Sequence, residues 1–151
     1  MSKRLSVTLL FVAAVLGIGI LIGFTTAPGA WYAGLEKPSF NPPNWIFGPA
    51  WTILYVLIGI AGARIFLDHR RSAAMRLWFG QMVLNFAWSP LFFGLRDIAA
   101  GLIVILALLV AIIGFIVASW RRDRIAALLF LPYLAWVSFA TLLNLAIFRL
   151  N

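Results

Sequence analysis

Residues 31–51 read WYAGLEKPSFNPPNWIFGPAW, and they set the plan of the chain because everything around them is plain apolar helix and they are not. Pro38, Pro42, Pro43 and Pro49 fall inside this stretch and Pro28 stands just ahead of it. Each proline fixes φ, removes a backbone donor and restricts the residue before it, so together they resist a continuous helix and favour a stiff, extended connection. Trp31, Tyr32, Trp45 and Trp51 lie among them. Long irregular connections are uncommon in compact proteins and are often lids over sites. A lid is therefore expected here.

Outward from that stretch the composition takes over. Of 151 residues, 64% are hydrophobic and 11% charged, a balance foreign to soluble globular domains. The fold class that follows is an all-α membrane protein: a bundle of five transmembrane helices, at about 5–24, 44–66, 73–93, 98–120 and 125–148, with a long proline-rich first loop. The whole chain, 1–151, forms one domain. The first apolar run is long enough for the ~30 Å hydrocarbon core. Lys3 and Arg4 ahead of it and small residues at 27–30 behind it also resemble a signal peptide, but the run exceeds the usual apolar region of one. Gly19 and Gly23 make a GxxxG pair that permits close helix approach. For the second span, Asn41 is a candidate N-cap with Pro42 as first helical residue, and Pro49 is expected to kink it early. The fourth span is the most uniformly aliphatic and is expected to face lipid over much of its surface.

The net charge of +8 comes from arginines in short runs between apolar segments, which argues for topology signals and against a nucleic-acid surface. With the N-terminus inside, the inner segments hold Lys3, Arg4, Arg64, Arg70, Arg71, Arg76, Arg121, Arg122 and Arg124, and the outer ones only Lys37, Arg96 and Arg149. The positive-inside rule then puts the C-terminus and the proline-rich loop outside. Lipid is a partner by construction.

Polar side chains within spans are expensive unless they face the bundle interior. Gln81, Asn85, Trp88 and Phe92 follow one another at intervals of four, three and four, one face of a helix. Tyr133, Trp136, Ala140 and Asn144 do likewise on the last span, and Trp51 and Tyr55 on the second. Aromatic rings with a few amides describe an apolar pocket with fixed polar contacts. The blander alternative is that Asn85 and Asn144 merely hydrogen-bond across helices.

Absences restrict the chemistry. Glu36, Asp68, Asp97 and Asp123 all lie outside the predicted spans, so no buried carboxylate serves as a proton relay. Both lysines lie outside as well, which removes a Schiff base, and His69 sits in a basic turn. Without cysteine there is no disulfide, thiolate metal site or thiol nucleophile. No metal and no required cofactor are expected, and Ser89, Ser138 and Thr141 have no buried base beside them for hydrolysis.

At 31–55 (WYAGLEKPSFNPPNWIFGPAWTILY), 81–94 (QMVLNFAWSPLFFG) and 132–144 (PYLAWVSFATLLN) the chain resembles the TspO/MBR family, the tryptophan-rich sensory proteins and the mitochondrial translocator protein. Three motifs in order cover nearly the whole chain. The resemblance implies a five-helix bundle, usually a homodimer, whose cavity under the first loop binds porphyrins such as protoporphyrin IX and haem, benzodiazepine-site ligands and, in some members, sterols. Carried over by motif, the ligand-binding residues are Tyr32, Trp51, Tyr55, Asn85, Trp88, Phe92, Trp136, Ala140 and Asn144. The animal members carry a sterol pattern with a tyrosine near the end of the last span; 142–149 here reads LLNLAIFR, without it, which counts against sterol binding.

Three functions compete. The first is a porphyrin-binding transporter, sensor or regulator of tetrapyrrole metabolism without covalent chemistry of its own. The second is an enzyme promoting light-dependent porphyrin degradation, which the resemblance attaches to Trp51 and Trp136. The third is a structural membrane subunit that uses the glycine-bearing first helix as its contact surface. For a porphyrin, stacking on Trp51, Trp88 and Trp136 is expected, with the carboxylates directed toward Lys37 and Arg96.

Overall fold

The computed structural model describes all residues from Met1 to Asn151, and its regular structure is entirely helical. Helix α1 runs Lys3–Thr25, α2 Ala30–Ala33, α3 Phe47–His69, α4 Ala73–Ser89, α5 Ile98–Ser119, α6 Arg124–Leu129 and α7 Leu131–Leu150. A 3₁₀ turn, Asn44–Ile46, leads into α3, and a π turn, Pro90–Gly94, extends α4. Four stretches are long and apolar enough to cross a membrane: Lys3–Thr25, Asn44–His69, Ile98–Ser119 and Arg124–Leu150. The remaining expected span divides into 17 α-helical residues and the π turn. Pro90 has no N–H to continue the α ladder, and the turn closes instead with Leu95 N–H donating to Pro90 O at 2.8 Å.

Short side-chain caps start most of the long helices. Ser2, Ser72 and Asp97 accept from the backbone N–H of Leu5, Met75 and Ala100, satisfying donors that have no partner within the helix. Asn41 is not such a cap. It lies outside the helix, where its Oδ1 accepts from Tyr32 Oη at 3.3 Å, while Pro43 holds the capping position before Asn44. Nor does Pro49 interrupt α3, which continues from Phe47 to His69. Pro49 is the third α-helical residue, within the first turn, where the missing N–H costs little. The break falls instead in the last predicted span, between α6 and α7 at Phe130. Pro132 cannot donate to Leu128 and its ring crowds that carbonyl, so α6 ends in a tight turn from Phe130 N–H to Ala127 O.

Helix α1 packs on α3, α4 on α5, and α5 on α7, with α3 also touching α4, α6 and α7. The contact of α3 with α4 depends on Gly62: a Cβ there would overlap the indole of Trp78, whose Nε1 donates to Ile58 O at 2.9 Å. Gly101, Ile105, Leu108, Ile112, Phe115 and Ser119 form the buried stripe of α5, while Ile103, Leu106, Val110 and Val117 are exposed. The aliphatic fourth span is thus half core and half outer surface. Helix α1 is peripheral, with only Val15 and Gly19 buried.

Two ion pairs gather helix ends at one pole of the bundle. Arg4 donates to Asp68 at 2.6 Å, tying the start of α1 to the end of α3. Arg64 donates to both oxygens of Asp123, at 2.9 and 3.1 Å, tying α3 to the turn between α5 and α6. At the opposite pole residues 26–46, the lid of the sequence reading, connect α1 to α3 and pack through Trp31 and Tyr32 on Phe92 and Phe93. This lid is less extended than its prolines imply, because α2 turns Trp31 and Tyr32 inward.

Candidate functional site

Beneath the lid lies a cavity of about 560 Å³, within the size range of small-molecule sites. All nine residues expected to form it are in its wall: Tyr32 from α2, Trp51 and Tyr55 from α3, Asn85 and Trp88 from α4, Phe92 from the π turn, and Trp136, Ala140 and Asn144 from α7. No charged side chain lines it.

The rings form connected walls. Trp51 stacks on Tyr55 with centroids 5.5 Å apart and meets Trp136 edge to face at 6.5 Å and 88°. Phe47 adds an edge contact to Trp136 at 5.8 Å. Opposite, Trp88 stacks on Phe92 at 5.2 Å, and Phe92 and Phe93 both meet the Tyr32 ring. The π turn explains Phe93. Helical spacing from Gln81 points to Phe92 alone, but the wider turn after Ser89 brings two consecutive phenylalanines to one side.

The amides are held by the protein itself. Asn85 Nδ2 donates to Tyr133 Oη at 2.6 Å, and the Tyr133 hydroxyl donates to Gln81 Oε1 at 2.8 Å. Gln81 Nε2 donates to Trp78 O at 2.8 Å, and Tyr55 Oη to Asn85 Oδ1 at 3.4 Å. Asn144 Oδ1 accepts from Trp88 Nε1 at 3.0 Å, while its Nδ2 donates to Ile98 O at 3.3 Å. The cross-helix and cavity-lining roles of Asn85 and Asn144 therefore coexist. One donor in the wall differs: Trp136 Nε1 is buried and has no hydrogen-bond partner. A buried unpaired donor is costly.

Lys37 and Arg96 are not in the cavity wall. Lys37 Nζ lies over the Tyr32 ring, 4.6 Å from its centroid, and donates to Leu35 O at 3.1 Å and Ala33 O at 3.4 Å. It clamps the lid from outside. Burial raises the Tyr32 phenol above its ordinary pKa, keeping it a neutral donor to Asn41. Arg96 is exposed in the turn before α5, with φ of 58°. Asn151 completes the lid's anchorage: its side chain accepts from Glu36 N at 3.1 Å and donates to Glu36 O at 2.9 Å.

Sequence reasoning missed the contribution of α1. Gly19, Ile20, Gly23 and Phe24 form one side of the cavity, with Thr26 just beyond, where Thr26 Oγ1 and Ser89 Oγ are 2.6 Å apart. In a uniformly apolar helix no residue type marks the inward face. The Gly19–Gly23 pair was the available signal, and it faces Tyr55 and the cavity of the same chain.

A family model described as the TspO/MBR family matches residues 11–150. The chain is 51% identical over 146 residues to the tryptophan-rich protein TspO of Archaeoglobus fulgidus, covering 93% of this chain and 94% of that protein. It is 36% identical over 143 residues to the tryptophan-rich sensory protein of Cereibacter sphaeroides, covering 95% and 90%. To the translocator protein of Homo sapiens it is 35% identical over 150 residues, covering 86% and 89%.

Proposed function

The chain belongs to the TspO/MBR family, and from that premise we propose that it binds a porphyrin in the cavity beneath its lid and acts as a transporter, sensor or regulator of tetrapyrrole metabolism. The observation that carries this reading is the convergence of nine aromatic, amide and small residues from α2, α3, α4, the π turn and α7 on one uncharged cavity. A flat, mostly apolar macrocycle suits such walls. Each aromatic contact contributes about 0.5–1.5 kcal/mol beyond the burial of its area. The decisive test is a titration of purified protein with protoporphyrin IX, followed by tryptophan fluorescence. Saturable quenching that weakens in Trp136→Phe and in Trp88→Phe is expected; binding unaffected by either substitution would defeat the proposal.

The contact between Trp51 and Trp136 supports a second reading, light-dependent degradation of the bound porphyrin. Illumination separates the two. Loss of the porphyrin absorption band in light with the native chain, and its persistence with Trp51→Phe and Trp136→Phe, would favour the enzymatic role.

This reading includes five membrane crossings, with Ala73–Ser89 and its π turn counted as one, and a homodimer as the assembly. The basic pole faces inside and the lid outside, an orientation that the charge asymmetry supports. Single cysteines at Ser39 and Arg121, both exposed, are expected to label from opposite sides of a sealed membrane. Labelling of both from one side would refute this orientation.

A further inference from the structure

At the basic pole, remote from the cavity, Asp68, His69, Arg70, Arg71, Ser72 and Arg122 line a second, shallow and open recess of about 400 Å³ that has no hydrophobic wall. We propose that it is a binding site for the phosphate of an anionic phospholipid. The inference is independent of what the cavity binds.

Charge is the first support. Arg70, Arg71 and Arg122 have no acidic partner, and the Asp68 carboxylate in the same recess is already bonded to Arg4. Three unpaired guanidiniums around a concavity favour a multiply accepting anion, which their fixed forks of N–H donors fit. The positive end of α4 adds to them, since this 17-residue helix starts at the recess with Ser72 as its cap.

Placement is the second support. The recess joins two turns that link apolar helices, Asp68–Ser72 and the one after Ser119, and the Arg64–Asp123 pair ties the second of them to α3, from whose end the first leads. Arg70 is held with its guanidinium over the Phe66 ring, 4.4 Å from the centroid, which fixes its charge beside the recess. The helices on either side of Arg122 expose Val117 and Trp120 before the turn and Ile125 and Leu128 after it. Acyl chains would cover that surface while the phosphate fills the recess. Basic pockets at the ends of membrane helices recognise lipid headgroups through this combination.

The test uses delipidated full-length protein in detergent, titrated with phosphatidylglycerol or with phosphatidylcholine of the same acyl chains, and read by native mass spectrometry. Phosphatidylglycerol should bind at least about tenfold more tightly than phosphatidylcholine. Arg70→Gln with Arg71→Gln and Arg122→Gln should abolish that preference, while Lys3→Gln with Arg96→Gln and Arg149→Gln, which removes the same charge elsewhere, should keep it. Equal loss in both triple variants, or retention in the first, overturns the proposal. Displacement of the lipid by an equal concentration of inorganic phosphate reassigns the recess to free anions and also overturns it. On the unsubstituted chain, phosphatidylglycerol should raise the melting temperature and added salt should diminish the rise; a rise indifferent to salt contradicts the site.

Discussion

Gly19 of α1 lies flat against the ring of Tyr55 on α3, so close that a Cβ on the glycine would overlap three ring atoms. Tyr55 is a cavity wall, and its hydroxyl reaches Asn85. The absence of one methyl group on a peripheral helix therefore sets the position of an aromatic wall in the site. Gly19→Ala is expected to push Tyr55 into the cavity, costing about 1–3 kcal/mol of stability as overpacking does, and to weaken porphyrin binding. Gly17→Ala is the control, because a Cβ there meets nothing within 4 Å and Gly17 does not line the cavity. Equal affinities for porphyrin in Gly19→Ala and wild type would show that the ring moves elsewhere.

Tyr133 supplies the hydroxyl that bridges Gln81 and Asn85. Tyr133→Phe leaves the Gln81 carbonyl without that donor and frees the Asn85 amide to rotate. All three residues are buried. A loss of about 1–3 kcal/mol in unfolding free energy is expected, accompanied by weaker ligand binding through the misplaced Asn85. Thermal melts with and without ligand measure the two effects separately.

Asp123 combines two tasks, capping α6 through Ala126 N–H and pairing with Arg64. Burial pushes its carboxyl up, but hydrogen bonds from Arg64 and the Ala126 N–H, with the Arg64 charge, outweigh this and hold it below the ordinary value of 3.8. A lowered folded-state pKa means stabilisation that is complete above the ordinary value and disappears as the pH falls through the lowered one. Asp123→Asn keeps a capping oxygen and loses the charge. Its stability should be lower than wild type at pH 7 by about 1–2 kcal/mol, since the Asp123 side chain of the pair is largely buried and that of Arg64 partly so. That deficit should shrink below pH 3.8, and a constant deficit down to pH 3 would exclude the ion pair as its cause.

Lys37 already spends its ammonium on two lid carbonyls and the Tyr32 ring. Lys37→Ala should loosen the lid, seen as faster proteolysis within residues 34–43, and weaken porphyrin binding by a factor that changes little with salt. A loss confined to low salt would instead place the ammonium on the ligand's carboxylates. Arg96, in the left-handed region, offers a matching case: Arg96→Gly should be neutral or stabilising by up to about 1 kcal/mol. If Arg96 holds a ligand carboxylate, the same variant loses affinity while gaining stability.

Most of the cavity was legible in one dimension because helical periodicity converts spacing into direction. Trp51 with Tyr55, Asn85 with Trp88, and Trp136 with Ala140 and Asn144 each lie on one face of their helix, and expensive polar groups in apolar helices must face inward. Charge gave the two poles for the same reason, since arginine runs have no place between helix ends. The elements that went unread are those where two proline effects or two packing choices compete. Pro49 and Pro132 are alike in sequence; one sits harmlessly in the first turn of α3 and the other separates α6 from α7. Which outcome holds depends on where the helix begins, a matter of tertiary anchorage. The same is true of α1, whose inward face is fixed only by the fit of Gly19 to Tyr55, and of Lys37, whose charge is committed to the lid by the fold of α2. Sequence by itself determined the apolar helices and their polar faces, because these follow from local covalent and solvation rules. Only the tertiary structure decided which partners the polar atoms take and which donor, Trp136 Nε1, is left without one, because hydrogen bonding between helices depends on distances no periodicity encodes.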